Sequence, residues 1–584
     1  MSTAAGTPAR QPRSVGGSAL AAGRRPWVDP LRARAGASVA ALRDTATHPQ
    51  LRKAQAAFAL TWTGEAALTV ALGVVAFRDG GASTVGWVAL ARMLPAAIAS
   101  PMLSAYADRV RRERVLAAIA AVRTVAVGGA ALVLAAGGPD LAVYGLAIVA
   151  TVVFNVFRPA HSALLPLLCT STDQLTSANV VRGLLDAGGA LAGPALAGVL
   201  LATGTATTVF AGVALSCLAA VLVALRIGYE APASPGRGRI RRARLLRDTV
   251  DGLHAAAGDR DLRLIFGLGF TQTFVRGALN VLAVVLAFEL LGTGDAGVAA
   301  LWAAVGAGGV IGSFAVSLLV GSRHLGAWLA AGLVLWGLPL AVVGVAPRDG
   351  VALAMLAFVG LGNAVIDVPF YTMPVRMASD TVLARVFGVF EALVALGVAL
   401  GAVVAPVVIA ATDERTALVL AGVVLPSLAV VAWRPLRAMD RRLGVRDGTI
   451  SVLRGVPMLR PLPVPSLEHL ARRVRRVSVP AGATVVEQGD AGDAFYVITA
   501  GRATVVGDGE VVRTVEPGDA FGEIALVLDR PRTATVSAIT DLELVVLDRD
   551  VFLDAVGGYS LSAETADAVV ARHLARFCPA GFLA

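Results

Sequence analysis

Eight ionisable side chains lie within or beside long apolar stretches, where a charge is costly and usually serves a function. They are Glu65, Arg92, Arg123, Asp186, Arg276, Glu289, Asp367 and Glu391. A carboxylate in such a place can take up and release a proton, and Glu65 and Asp367 lie well inside their apolar runs. The alternative is structural, because a carboxylate paired with an arginine also fixes two helices together. The residue types alone leave both interpretations open.

The composition explains why these charges stand out. Hydrophobic residues make up 56% of the 584 residues, charged residues 16%, and the mean hydropathy is +0.72. A soluble fold needs more polar surface, so we expect a lipid bilayer as the solvent. Apolar runs of about twenty residues recur as far as Trp433, the length needed to cross hydrocarbon. The runs predict twelve spans at 54–77, 84–107, 115–136, 141–164, 183–203, 206–227, 262–291, 296–320, 325–346, 351–371, 383–411 and 415–433.

Arginine is distributed unevenly among the loops. The loops after the second, fourth and sixth spans contain Arg109 to Arg114, Arg158 with Arg182, and the basic segment 228–261, whereas the alternate loops have few. The positive-inside rule places the arginine-rich loops and both termini in the cytoplasm of a multi-pass protein of the cell membrane. The net charge of +10 therefore predicts an interaction with the bilayer and none with nucleic acid.

The long basic loop divides the spans into halves at 54–227 and 262–433, the layout of two repeats in a secondary transporter. Two unrelated halves are the alternative. We expect a largely disordered cytoplasmic tail over 1–50, a membrane domain over 51–435 and a juxtamembrane linker over 436–455. The three cysteines, Cys169, Cys217 and Cys578, have neither metal nor disulfide spacing, so structural thiols are expected.

Two motifs in the membrane region resemble the major facilitator superfamily. The loop after span 2 contains Asp108 and Arg109 of that family's signature, although Ser104 and Arg111 stand where the family has glycine. In the family this loop closes the cytoplasmic gate through charge pairs. Span 5 contains Gly193 and Pro194, which resemble the glycine–proline motif of the exporters of this superfamily. Tight helix packing would explain the same residues. The resemblance covers about 54–433 and implies an efflux-type secondary transporter.

The chain after 456 has the composition of a soluble domain. Short apolar strands alternate with glycine turns in 485–501 and 521–536, which predicts an antiparallel jelly roll. These two segments resemble the cyclic-nucleotide-binding domain of catabolite activators, kinase regulatory subunits and nucleotide-gated channels, over about 456–575. The expected organisation is an all-α polytopic membrane domain followed by a mainly-β jelly roll with flanking helices.

The second resemblance implies roles for particular residues. A short helix starting near Gly522 would offer amides to the cyclic phosphate. Arg532 would bind a phosphate oxygen, and Glu523 would accept the ribose 2′-hydroxyl. A C-terminal helix, Leu561–Phe577, would close over the base, with Arg572 and His573 as possible capping residues. The implied nucleotide-binding set is Gly522, Glu523, Ile524, Ala525, Arg532 and Thr533.

The sequence therefore favours a secondary active transporter, a proton-coupled exporter of a small molecule that is regulated by cAMP, cGMP or both. The alternative is a membrane-anchored nucleotide sensor that uses a transporter fold without transport. The candidates for gating and coupling are Asp108, Arg109, Glu65, Arg92, Asp186, Gly193, Pro194 and Asp367. We expect that the protein is not an enzyme, and that it binds no metal and no cofactor other than the regulatory nucleotide. The sequence shows no channel filter and no phosphate-binding loop for ATP.

Overall fold

The computed structural model describes residues 43, 47–107, 110–169, 172–228, 258–316, 324–377, 380–462, 464–557 and 560–577. Its first part is helical, as the apolar runs predict. The helices are α1 Pro49–Ala107, α2 Arg112–Ala135, α3 Asp140–Phe154, α4 Phe157–Leu168, α5 Thr172–Thr203, α6 Ala206–Ala224, α7 Arg260–Val285, α8 Gly294–Val316, α9 Leu325–Val345, α10 Asp349–Met377, α11 Asp380–Ala411, α12 Glu414–Gly455 and α13 Val464–Arg473. A π-turn, Leu286–Leu290, extends α7.

The many apolar helices agree with the expected polytopic membrane domain. Eleven helical segments among the described residues are long and apolar enough to span a membrane, with α3 and α4 together forming one of them. The first segment is itself two spans, because α1 is broken at Gly80 and Gly81. Gly81 has φ 65°, a left-handed conformation that glycine adopts without steric cost. This break turns the chain back between spans 1 and 2.

The spans form two six-helix halves, α1–α6 and α7–α12. At the end of the bundle remote from the soluble domain, the halves meet through Arg78 and Asp295, whose side chains form an ion pair at 2.6 Å. The rings of Phe77 and Phe288 pack beside it, with centroids 4.6 Å apart. These contacts join the two halves at the remote end.

Helix α12 extends far beyond the bilayer. Its 42 residues correspond to about 63 Å at 1.5 Å per residue, twice the thickness of the hydrocarbon. The carboxylate of Asp440 accepts hydrogen bonds from the backbone N–H groups of Gly326 and Ala327, at 2.6 and 3.0 Å. Arg442 forms an ion pair with Asp261 at 2.8 Å. The segment expected as a juxtamembrane linker, 436–455, is thus a helical rod fixed to the starts of α9 and α7.

The soluble domain is an antiparallel jelly roll, as expected. Its strands are β1 Arg475–Val479, β2 Thr484–Val486, β3 Ala494–Ala500, β4 Ala503–Gly507, β5 Glu510–Val515, β6 Ala520–Phe521, β7 Thr535–Ala538 and β8 Leu542–Asp548. They form two four-stranded sheets, in the orders β1-β8-β3-β6 and β2-β7-β4-β5. Three helices complete the domain: α14 Glu523–Val527, α15 Arg549–Gly557 and α16 Ser560–Phe577.

Candidate functional site

A cleft of about 540 Å³, measured with its open mouth, lies between the strands, α14 and α16 of the soluble domain. All six residues expected to bind nucleotide line it: Gly522, Glu523, Ile524, Ala525, Arg532 and Thr533. The turn between β6 and α14 and the segment before β7 present them to one space. Apolar side chains from β2, β4, β5, β6 and β7 form most of the remaining wall, together with the polar side chains of Arg513 and His573.

Gly522 makes the sharp turn into α14. Its φ is 95°, and a Cβ there would lie 2.7 Å from Nη1 of Arg532 and 3.0 Å from the carbonyl oxygen of Ala494. Only glycine fits both the backbone conformation and the space. The turn therefore brings the N-terminus of α14, whose first N–H groups have no partner within the helix, against Arg532.

Arg532 is buried, with 3% of its side chain exposed. Its Nη2 donates to the carboxylate of Asp493 and to the carbonyl of Ala494, both at 2.9 Å, and its Nη1 donates to the carbonyl of Gly522 at 3.1 Å. The ring of Tyr496 lies 5.6 Å from the guanidinium carbon. The buried Nε has no hydrogen-bond partner among the described residues. The guanidinium is thus held rigidly, with one buried donor left unused.

Glu523 is buried to 2% exposure at the start of α14. Its Oε1 is hydrogen-bonded to Nδ1 of His573, on α16. Its Oε2 is buried and has no hydrogen-bond partner in the described part of the chain. An unpaired buried acceptor costs about 1–3 kcal/mol, so this oxygen is suited to accept a hydroxyl from a ligand.

Close packing beside the cleft requires small residues. A Cβ on Gly492 would lie 2.8 Å from the Cβ of Ala525, so the loop before β3 and α14 need small residues on both sides. Thr533 is half-buried at the cleft wall.

The residues that the sequence predicts for nucleotide binding line the cleft, but the sequence does not indicate which residues hold them in place. Asp493, which anchors Arg532, lies in the glycine-punctuated segment 485–501 without any signal of its role. His573 was named as a possible capping residue, and the structure puts it against Glu523, whereas Arg572 is exposed.

In the membrane domain, Glu65 lies between two buried arginines. Its carboxylate oxygens lie 2.9 Å from Nη2 of Arg92 and 2.7 Å from Nη1 of Arg123. Arg92 also donates to the hydroxyl of Thr151 at 2.8 Å, and the Arg123 guanidinium stacks on Phe154 at 4.6 Å. Protonation of Glu65 would leave two buried cations without their counter-charge. This geometry favours the structural interpretation of Glu65.

Asp367 has different surroundings. Its side chain is exposed although it lies inside an apolar span, and Nδ2 of Asn363 donates to it at 3.1 Å. It interacts electrostatically with Arg276 of its own half and with Arg158 and Asp186 of the other half. Asp367 therefore faces the space between the halves.

Asp186 forms an ion pair with Arg158 at 3.2 Å. Its backbone carbonyl accepts a hydrogen bond from the indole of Trp62 at 3.0 Å, and the Arg158 guanidinium lies 5.0 Å from that ring. These contacts fix α4 and α5 against the first span, at the wall opposite Asp367.

Gly193 lets α5 approach α1 closely, because a Cβ there would lie 2.5 Å from the Cβ of Ala66 and 2.6 Å from the carbonyl oxygen of Thr63. Pro194 lies inside the same helix. Asp108 and Arg109 lie outside the described residues.

Comparison with protein families agrees with this architecture. Residues 56–379, more than half of the chain, match the Major Facilitator Superfamily. The protein therefore belongs to that superfamily of multi-pass membrane transporters. Residues 476–559 match the cyclic nucleotide-binding domain, so the chain is a fusion of the two.

The curated relatives resemble the soluble domain. A cAMP-dependent protein kinase regulatory subunit of Yarrowia lipolytica is 40% identical over 138 residues, 23% of this chain and 36% of the relative. One from Aspergillus niger is 37% identical over 121 residues, 20% of this chain and 29% of the relative. The chain thus spans about a third of these relatives. The regulatory domain of Toxoplasma gondii PKA, solved with cAMP, is 27% identical with a TM-score of 0.21, covering 22% of this chain and 51% of that one.

Proposed function

We propose that this protein is a proton-coupled exporter of a small molecule, in the plasma membrane, whose transport is regulated by cAMP bound in the soluble cleft. The observation that carries the regulatory part is the pair of unused buried groups, Nε of Arg532 and Oε2 of Glu523. Nε of Arg532 is a hydrogen-bond donor on a cationic guanidinium, and Oε2 of Glu523 is a hydrogen-bond acceptor. A cyclic nucleotide supplies the matching groups, an anionic phosphodiester and a ribose hydroxyl. The names of the kinase relatives favour cAMP, with cGMP also accepted.

The contact between the halves at the remote end supports the transport part of the proposal. The positive-inside pattern of the loops assigns the soluble domain to the cytoplasm, so the Arg78–Asp295 end faces outward. Asp367, exposed between the halves, is then the carboxylate best placed to exchange a proton with the cytoplasmic side. Glu65, held by two arginines, is better suited to maintaining the first half.

A vesicle uptake screen with and without cAMP tests the function. We expect flux of a substrate to change with cAMP in the wild type and in Arg530→Ala, an exposed neighbour used as the control. Arg532→Ala should remove the effect at the same cAMP concentration, because losing a charged hydrogen-bond partner costs about 1.5–3 kcal/mol, roughly ten- to a hundredfold in affinity. A wild type that binds cAMP but transports nothing would favour the anchored sensor. A wild type that binds no cyclic nucleotide would refute regulation by this cleft.

A further inference from the structure

The soluble domain contacts the membrane domain at a defined point. Helix α13 leads into β1, and Arg472 near its end points toward α10. Nη1 of Arg472 donates to the backbone carbonyl of Met377 at 2.7 Å, and Nη2 donates to the carbonyl of Arg376. These carbonyls belong to the last turn of α10, where helix C=O groups have no partner within the helix and where a cation is favoured by the helix dipole. Arg472 therefore caps α10 from outside the membrane domain.

The same helix α13 is built into the core beneath the nucleotide cleft. Leu467 and Leu470 of α13 share one buried hydrophobic cluster with Leu526 of α14 and with Leu453 of α12. Leu526 is one helical turn from Glu523, a residue of the cleft. A movement of α14 on ligand binding would therefore act on α13 through close-packed side chains, which transmit displacement because they leave little free space.

The other end of the contact leads to the space between the halves. Asn363, Asp367 and Tyr371 follow one another at intervals of four along α10, so they lie on one face of the helix. Asp367 and Tyr371 are exposed, and Tyr371 donates to Glu391 of α11 at 3.2 Å. The carbonyls that Arg472 binds lie one to two turns beyond Tyr371 on the same helix.

All of these attachments are to the second half. The extension of α12 is bonded to the starts of α7 and α9, through Arg442 and Asp440, and Arg472 is bonded to the end of α10. Because alternating access in such transporters consists largely of one half rocking against the other, a domain attached to one half moves with it. It can then bias the rocking only through a contact that differs between the two states.

We propose that the Arg472 cap on α10 is the point at which the nucleotide-binding domain controls the transporter. This inference rests on the proposed function, since it names the route by which nucleotide regulates transport. The bidentate guanidinium couples α13 to α10, and ligand-driven movement of α14 and α13 alters how the end of α10 is held. The face carrying Asp367 and Tyr371 then changes its position relative to the first half.

The test measures conformation and so needs no knowledge of the substrate. Spin labels at Ser83→Cys and Ala296→Cys, both at exposed positions on opposite halves near the Arg78–Asp295 ion pair, would report the separation of the halves there by pulsed electron paramagnetic resonance. The full-length protein is used after replacement of its three cysteines, with and without cAMP. Calorimetry on the same preparations gives the cAMP affinity.

Arg472→Gln should still bind cAMP, with an affinity changed by no more than about tenfold, the size of the coupling that is lost, yet lose most of the cAMP-dependent shift in label distance. Arg472→Lys, which keeps the charge but not the two-pronged donor geometry, should retain part of the shift and guards against misfolding of the glutamine variant. Arg473→Gln is the matched control, because Arg473 is the exposed neighbour, and should keep the full shift. A full shift in Arg472→Gln at saturating cAMP would overturn this route alone. Binding without any shift in the wild type would overturn the proposed regulation itself.

Discussion

The role of Glu523 gives the sharpest test of the cleft, because the ligand itself can be altered at the atom in question. If Oε2 of Glu523 accepts the ribose 2′-hydroxyl, then 2′-deoxy-cAMP must bind more weakly than cAMP. A hydrogen bond to a charged, buried acceptor contributes about 1.5–3 kcal/mol, so we expect a ratio of dissociation constants of about ten to a hundred in the wild type. This hydrogen-bond energy for a buried acceptor applies because Glu523 is only 2% exposed and its buried Oε2 has no hydrogen-bond partner among the described residues.

Glu523→Gln keeps the shape of the side chain and removes its charge. A neutral hydrogen bond contributes only about 0.5–1.5 kcal/mol, so the ratio should fall to about two- to tenfold. Comparing the two ligands within each protein cancels any general damage caused by the substitution. Titration calorimetry on the full-length protein measures both constants, and Glu516→Gln, at an exposed carboxylate, should keep the wild-type ratio. An equal ratio in the wild type and Glu523→Gln would refute the assignment of the 2′-hydroxyl to this residue.

Two further predictions concern the membrane domain. Asp367→Asn should abolish the dependence of transport on a pH gradient, because it removes the exposed carboxylate between the halves. The cAMP affinity should not change, since this residue is far from the soluble cleft. Flux measured with and without the gradient checks the prediction, and a retained dependence would assign proton coupling to another residue. Glu65→Gln should instead lower the thermal unfolding temperature of the purified protein, because breaking a buried pair costs about 3–5 kcal/mol. Arg348→Gln, at an exposed arginine of the membrane domain, is the control, and an unchanged melting temperature in Glu65→Gln would contradict its structural role.

Hydropathy predicted the spans well because crossing hydrocarbon demands long apolar runs. It could not predict how far α12 continues, since a helix leaving the bilayer no longer needs apolar residues. Pro435 and the charges after it ended the apolar window, yet the helix passes through Pro435. Tertiary bonds compensate, because Asp440 and Arg442 fix the extension to α9 and α7.

The sequence also could not predict which side chains pair with the ionisable residues of the spans. Glu65, Arg92 and Arg123 come from three different spans, and which face each presents depends on helix register, which hydropathy does not give. The nucleotide-binding residues of the soluble domain were easier to predict, because Gly522, Glu523 and Arg532 lie within one short segment whose turn is fixed by glycine. His573 lies on another helix, α16, so only the fold brings it to Glu523.

The attachment of the soluble domain to one half limits how a nucleotide can act. A ligand shifts a conformational equilibrium only by the difference in its affinity for the two states. A tenfold change in the balance between open and closed forms therefore requires about 1.4 kcal/mol of differential binding. That difference must arise where the domain's contacts differ between states. Contacts that move rigidly with the second half contribute nothing, however strong they are. In the proposed mechanism the end of α10 shifts relative to α13 as the halves rock, so the Arg472 cap can supply this difference. The contacts of α12 with α7 and α9 move with the second half and cannot.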